Sequence, residues 1–290
     1  MSLFHPVVCK IHVWGGLGSQ LHAVALYKDL LNRFPGKAFM LVFHTGGVTR
    51  RSVEVSSLFP ELIFSIQDDF VSQIMGEVPD LEDRAKRILR SLFINILQSL
   101  GLFSTCNTDQ DFSTLKRRVR AIRGHYSYRA ISIATIYDIK QKLELNLDRS
   151  ALPDPNSIAI HYRLGDLLLL EEKNPLEVNR VAQEISYVLE KFTFSKILVY
   201  SDSPKLALTA LQPHIHDLEI EVKDCSATQL LGETHLPLYF IGTSSKISFW
   251  SILLREISSA DGRSSIPEGN RINLIRTLGY MESYSNLREY

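Results

Sequence analysis

Val7-Val8-Cys9-Lys10-Ile11-His12-Val13-Trp14-Gly15-Gly16-Leu17-Gly18-Ser19-Gln20 is the stretch that decides the fold. Its apolar first half reads as a strand and its glycines as a loop. Behind them, Leu21, Val24, Ala25, Tyr27, Leu30 and Leu31 recur at spacings of three and four, the pattern of a helix that Pro35-Gly36 ends. Strand, glycine loop and helix in that order suit a phosphate-bearing ligand. Glycines let backbone N–H groups come close to an anion, and a helix N-terminus adds about half a positive charge. Gly16, Leu17, Gly18 and Gln20 are therefore candidate ligand contacts.

A nicotinamide-cofactor fingerprint is excluded twice. The spacing G-x-G-x-x-G would need a glycine at position 21, which is Leu21, and the next strand, Ala38 to Phe43, ends in His44 and Thr45 rather than an acidic residue.

Outward from the loop, strand and helix signals alternate. Leu62 to Ile66 reads as a third strand, Asp80 to Phe103 and Ile131 to Leu145 as helices, and Thr114 to Ile122 as a basic stretch. Pro153-Asp154-Pro155-Asn156 breaks the pattern, which then restarts. Ser157 to Ile160, Ile197 to Tyr200, Leu218 to Val222 and Phe240 to Thr243 read as strands. Val178 to Phe192, Ser203 to Leu211, Thr228 to Tyr239 and Phe249 to Ile257 read as helices. Two alternating blocks predict an α/β protein of two Rossmann-like domains, 1–150 and 151–290, facing a cleft.

Composition narrows the class. The 290 residues carry no net charge and are 45% hydrophobic and 22% charged, so no global field argues for nucleic acid. Cys9, Cys106 and Cys225 lack metal spacing and read as reduced core thiols of a cytoplasmic protein. Met1 to Pro6 does not look like a secretory signal, and no run of about 18 apolar residues predicts a membrane span.

Chemistry gathers in the second block. His161-Tyr162-Arg163-Leu164-Gly165-Asp166 follows a strand, where open parallel sheets bind ligands. Arginine offers a planar fork that can hold two phosphate oxygens, although Arg163 and Asp166 would also suit a surface ion pair. Tyr200-Ser201-Asp202-Ser203 and Thr243-Ser244-Ser245 each stand between a strand and a helix. Ser201 and Asp202 suit a ribose and Ser244 and Ser245 a pyrophosphate; helix capping explains the same letters.

Together these segments resemble the bacterial α-1,2-fucosyltransferases, glycosyltransferase family 11. The resemblance lies in the order Gly15 to Gln20, Arg51 to Phe59, Gly124-His125-Tyr126-Ser127-Tyr128, His161 to Asp166, Tyr200-Ser201-Asp202 and Ser244 to Trp250, and runs from about residue 11 to 255. It implies a two-Rossmann glycosyltransferase fold of the GT-B type and an inverting transfer. The donor, GDP-fucose, would be held mainly by the second domain without a metal or other cofactor. The glycan acceptor would be a surface-polysaccharide or O-antigen repeat unit, commonly lipid-linked. Departures fall in the donor half. The family's second arginine is Leu164, its Ser-Asp-Asp is Ser201-Asp202-Ser203, and its serine-tryptophan pattern is displaced by a residue. A transferase with another nucleotide sugar, or a non-catalytic nucleotide- or glycan-binding module, is the alternative.

Leaving-group chemistry assigns the roles. A departing nucleoside diphosphate needs cations or amide donors, here Arg163 and the helix starts near Ser203 and Ser245, with His161 beside them. Asp68-Asp69 is adjacent rather than spaced as a metal-binding pair would be. The acceptor proton needs a base, for which Glu54 and Asp166 are candidates and His22 and His44 weaker ones. Finally, Arg84, Lys86, Arg87 and Arg90 lead into the apolar Leu92 to Phe103. That segment fits either a helix lying on an anionic membrane or a buried core helix with a solvated basic start.

Overall fold

The computed structural model describes residues 8–44, 52–66, 84–148, 150–164, 178–215, 218–224, 226–258, 262–269 and 286–290. The chain divides into two compact units, Met1–Lys142 and Leu143–Tyr290.

The first unit runs β1 (Cys9–Val13), α1 (Leu17–Arg33), β2 (Phe39–Phe43), α2 (Val55–Leu58), β3 (Phe64–Ile66), α3 (Arg84–Ser99), β4 (Phe103–Thr105), α4 (Asp109–Thr114), β5 (Ala121–Arg123) and α5 (Ile133–Asn146), the helix in which the division falls. Its sheet has the order β3-β2-β1-β5-β4, every pair parallel. β1 is central and fully buried except at Lys10, as expected of a parallel strand covered on both faces. α1 is buried on most sides, taking Leu21, Val24, Ala25, Leu26 and Leu30 into the core together with the polar Gln20, His22 and Asp29. The one carboxylate buried in it, Asp29, is fully paired. It meets Arg129 in an ion pair and accepts hydrogen bonds from Ser132 Oγ (2.6 Å) and Thr135 Oγ1 (2.5 Å).

The second unit runs β6 (Asp154–His161), α6 (Val178–Lys191), β7 (Lys196–Ser201), α7 (Pro204–Leu211), β8 (Glu219–Asp224), α8 (Ala227–Glu233), β9 (Pro237–Ile241), α9 (Lys246–Ser258), β10 (Arg263–Ile266) and β11 (Leu287–Glu289). The parallel order β11-β10-β9-β6-β7-β8 is the 3-2-1-4-5-6 order of doubly wound dinucleotide folds. Its core packs Ile158, Ile160, Val181, Ile185, Ile197, Val199 and Ile241.

Several element assignments need correction. The helix expected to reach Phe103 stops at Ser99, because Gly101 adopts φ 65° and closes a Schellman motif. Leu102 N–H bonds to Leu97 O and Gly101 N–H to Gln98 O, both at 2.8 Å, which frees Phe103 to start β4. The basic stretch ends in β5, which pairs directly with β1. The helix expected over Thr228 to Tyr239 stops at Glu233, since Pro237 lacks the N–H a helix needs and instead opens β9. β6 begins earlier than expected, taking in Pro155 with a register shift between Asp154 and Ile158. β10 and β11 were not anticipated.

α3 is not a buried core helix. Ile88, Leu92 and Ile96, with Leu100 just beyond its end, are each more than half exposed, one above the other at four-residue spacing. Among the described residues, no helix is long and apolar enough to cross a membrane. Cys9 and Cys106 are free and buried, and burial pushes their thiols up to about 11 and about 12; Cys225 lies outside the described residues.

Candidate functional site

In the second unit the chain steps outward from β6 to β7 and β8, then returns to β9 on the other flank of β6. The connections leaving β6 and β9 therefore diverge, and a crevice opens between their carboxyl ends. His161 is the last residue of β6, and Gly242 to Ser245 join β9 to α9. Thr243 Oγ1 donates to His161 O (2.8 Å), and Thr243 N–H donates to Ser248 Oγ (3.1 Å), which lies 2.6 Å from His161 Nδ1. Burial is the main reason the His161 pKa falls to about 4, so the ring is neutral near pH 7. A neutral ring carries one proton, and its tautomer sets which of Nδ1 and the Ser248 hydroxyl donates in that bond.

Arg163, half-buried, places Nε 4.0 Å from Asp202 Oδ2 at the end of β7. Asp202 Oδ1 accepts Leu164 N–H at 2.9 Å, tying the segment after β6 to the loop before α7. Ser201 Oγ accepts Ser203 N–H (3.1 Å), and Ser245 Oγ accepts Ser248 N–H (3.2 Å) as the cap of α9. Capping thus accounts for the Ser245 hydroxyl and a local turn for that of Ser201, while Ser244 is exposed. Leu164, where the resembling family has a second arginine, is buried in the core. Asp166 and Gly165 lie outside the described residues, as do Arg51 and Asp68-Asp69. Thr243 and Ser248, which clamp the crevice, lie in the segment that the sequence singled out for its hydroxyls, although only Ser244 and Ser245 were assigned to a ligand there.

In the first unit the switch falls between β1 and β5. Gly15 has φ 86°, in the left-handed region that favours glycine, and a Cβ there would lie 3.0 Å from Ser19 Oγ. Gly16 caps α1, its carbonyl accepting Ser19 N–H (2.9 Å) and Gln20 N–H (3.1 Å). Leu17 and Gly18 form the first turn, and the Leu17 side chain is buried, so only its backbone can serve a ligand. Gln20 is spent inside the protein. Its Nε2 donates to Gly15 O (3.1 Å) and Ser52 O (2.8 Å), and its Oε1 accepts Glu54 N–H (2.9 Å) and Val55 N–H (3.0 Å). Glu54 itself is half-buried at the N-cap of α2.

Beside this loop stands a cluster of which sequence reading singled out only His44, as a weaker candidate base. His12 Nδ1 and His44 Nε2 share a hydrogen bond of 2.9 Å, and His44 stacks on Trp14 with ring centres 4.4 Å apart and planes 8° from parallel. The Arg123 guanidinium, at the end of β5, lies 5.1 Å from the Trp14 ring centre. Register explains the meeting: Val13 pairs with Phe43, so residues 14 and 44 emerge side by side. His22 is buried in α1, apart from any role the sequence suggested. Below, Tyr126 adopts φ 59° and donates its hydroxyl to His12 O (2.6 Å), with Ile122 O at 3.2 Å.

A cavity of about 700 Å³ opens elsewhere, lined by Tyr187, Phe192, Tyr239, Arg263, Arg288 and Tyr290 among others, and shares no residue with either strand-end cluster. Among the described residues, no group of three or more His, Cys, Asp or Glu is placed to hold a metal ion.

No protein-family model and no curated protein matches the chain. Solved structures do. An E. coli heptosyltransferase WaaC with ADP-2-deoxy-2-fluoro heptose is 13% identical, covering 98% of this chain and 92% of that one at a TM-score of 0.45. POFUT1 in complex with GDP is 13% identical, with 90% and 98% covered and a TM-score of 0.41. A glycosyl transferase family 9 protein from Veillonella parvula is 8% identical, with 91% and 82% covered and a TM-score of 0.40. Likeness at that level carries no argument about activity, and the fold rests on strand order and direction. The chain is built of two Rossmann-like α/β units, each with its carboxyl-edge residues gathered at a topological switch point.

Proposed function

We propose that the chain is an inverting, metal-independent glycosyltransferase of the GT-B type. It would move a sugar, fucose from GDP-fucose by the resemblance, onto a surface-polysaccharide glycan. The observation that carries this reading is the convergence of His161, Arg163, Asp202 and the N-terminus of α9 at the β6/β9 switch point. A diphosphate seated there meets the Arg163 fork, the uncharged His161 ring and the positive end of a 13-residue helix. Asp202 positions Arg163 and closes the loop below, while Ser201 and Ser245 hold the helix starts in place. In the displacement the acceptor oxygen bonds to the anomeric carbon as the diphosphate leaves with its electron pair. One positioned donor for that charge is worth roughly 3–4 kcal/mol. Glu54 and Asp166 remain carboxylate candidates for taking the acceptor proton.

A peripheral membrane contact, bringing the enzyme to a lipid-linked acceptor, is part of the same proposal. The exposed Ile88, Leu92, Ile96 and Leu100 support it, on a helix whose sequence begins with four cations. The second reading, a nucleotide- or glycan-binding module without turnover, draws on Leu164, which buries an apolar side chain where the resembling family carries a cation. Nucleotide release measured across a panel of nucleotide sugars, with and without chelator, decides between them. Turnover with GDP-fucose that persists in chelator supports the proposal. Binding without release from any donor replaces it with the second reading, and release from another donor alone replaces the sugar.

A further inference from the structure

We infer that the cavity beside α6 in the second unit is a separate ligand site that takes a hexose phosphate, its phosphate held among Lys191, Arg263 and Arg288. The site lies within one unit and shares no residue with the strand-end clusters, so it stands whether or not the crevice performs transfer. Strand register builds its floor. Right-handed crossovers put α6, which steps from β6 to β7, on one face of the sheet, and α9, which steps the other way from β9 to β10, on the opposite face. Tyr239 and Ile241 pack in the core with Val181 and Ile185 of α6. Their partners in β10 are Arg263 and Ser265, and Ser265 pairs in turn with Arg288 of β11. The intervening Ser264 turns to the other face, where Arg255 of α9 donates to its hydroxyl at 3.3 Å. The α6 side of the sheet is therefore isoleucine and valine over β6 and β7, but arginine and serine over β10 and β11.

Aromatic rings and one carboxylate fix the cations in place. The Arg263 guanidinium lies over Phe192, 4.7 Å from the ring centre. That of Arg288 lies 3.1 Å from the centre of Tyr187, with its Nε 3.1 Å from Glu184, a carboxylate only 1% exposed. Lys191 Nζ stands 4.3 Å from the same Tyr187 ring. Among the described residues, no carboxylate pairs with Lys191 or Arg263, so their charge is open to a ligand. A phosphomonoester answers three cations better than a carboxylate does, since it brings three acceptor oxygens and about −1.5 to −2 of charge against two oxygens and a single charge. The sugar follows from the rest of the lining. Lys191 and Arg263 stand where α6 ends and β10 begins, whereas Glu268 lies beyond the end of β10 and accepts what ring hydroxyls donate. The volume of about 700 Å³ is that of a site for a small organic molecule rather than for an ion alone.

Calorimetric titration of the full chain with glucose 1-phosphate, mannose 1-phosphate, galactose 1-phosphate and glucose 6-phosphate tests the site, with glucose, glucuronate and inorganic phosphate as controls. At least one hexose phosphate is expected to bind with a Kd of about 1 mM or tighter, and about 10-fold or more better than every control. Arg263→Gln and Lys191→Gln change exposed side chains, so the fold should be retained by circular dichroism while each weakens that binding by about 10-fold or more. Arg163→Ala, which alters the crevice, should leave it unchanged. No binding by any of these hexose phosphates, or binding that Arg163→Ala removes and Arg263→Gln does not, overturns the site. Inorganic phosphate or glucuronate binding as tightly overturns its assignment to a hexose phosphate.

Discussion

Replacing Gln20 by leucine removes a clamp rather than a ligand contact. The leucine has nearly the same volume but none of the four hydrogen bonds that Gln20 makes to Gly15 O, Ser52 O, Glu54 N and Val55 N. Four backbone groups losing their partner, one bond buried and three part-buried, cost about 1–1.5 kcal/mol each, or roughly 4–6 kcal/mol together. The apolar side chain returns about 1–2 kcal/mol through burial. The net loss is roughly 3 kcal/mol, and a factor of ten in an equilibrium corresponds to about 1.4 kcal/mol. Amide exchange at Glu54 and Val55 should therefore quicken by about 100-fold, and the first unit should melt earlier. Gln20→Glu keeps the acceptor for both N–H groups but cannot donate to the carbonyls, so it should fall between. Hydrogen exchange followed residue by residue, with nucleotide titration on the same samples, is the assay. Unchanged exchange at Glu54 and Val55, together with a lost affinity for nucleoside diphosphate, would refute the reasoning and make Gln20 a ligand contact.

Three further outcomes follow from the second unit and the floor of the first. Arg163→Ala is expected to lower kcat by roughly 100-fold with the fold retained by circular dichroism; near-normal turnover removes the residue from the leaving-group site. His161 titrates near 6.5 when unfolded and about 4 when folded, so the unfolded chain binds the extra proton between those values. The stability present above about pH 6.5 should fall as pH drops towards 4, by roughly 3 kcal/mol, and His161→Gln should flatten that slope in denaturant titrations; equal slopes would contradict the assigned burial. Tyr126→Phe leaves His12 O without its 2.6 Å partner and should destabilise the first unit by about 1–2 kcal/mol, read as a lower melting temperature, with no change at all counting against the bond.

The sequence by itself determined the two alternating blocks, the strand–glycine–helix start and the placing of His161, Arg163, Asp202 and Ser245 at strand ends. Each is a local signal: apolar periodicity, a glycine needed for φ 86° at Gly15, and serine at a helix cap. Local signals failed where one residue carried the decision. Gly101 ended a helix inside an apolar run, and Pro237 opened a strand inside a helical pattern. They failed also for β5, β10 and β11, which are three or four residues long and are strands because neighbours pair with them. Only the tertiary structure could show that Gln20 is consumed by the segment at 52–55, that Ser248 reads His161 from 87 residues away, or that an exposed apolar face lies along α3. The His12–His44–Trp14–Arg123 cluster belongs to the same class. Its members come from the ends of β1, β2 and β5 and meet only because parallel pairing sets those ends side by side, a register that no single segment encodes.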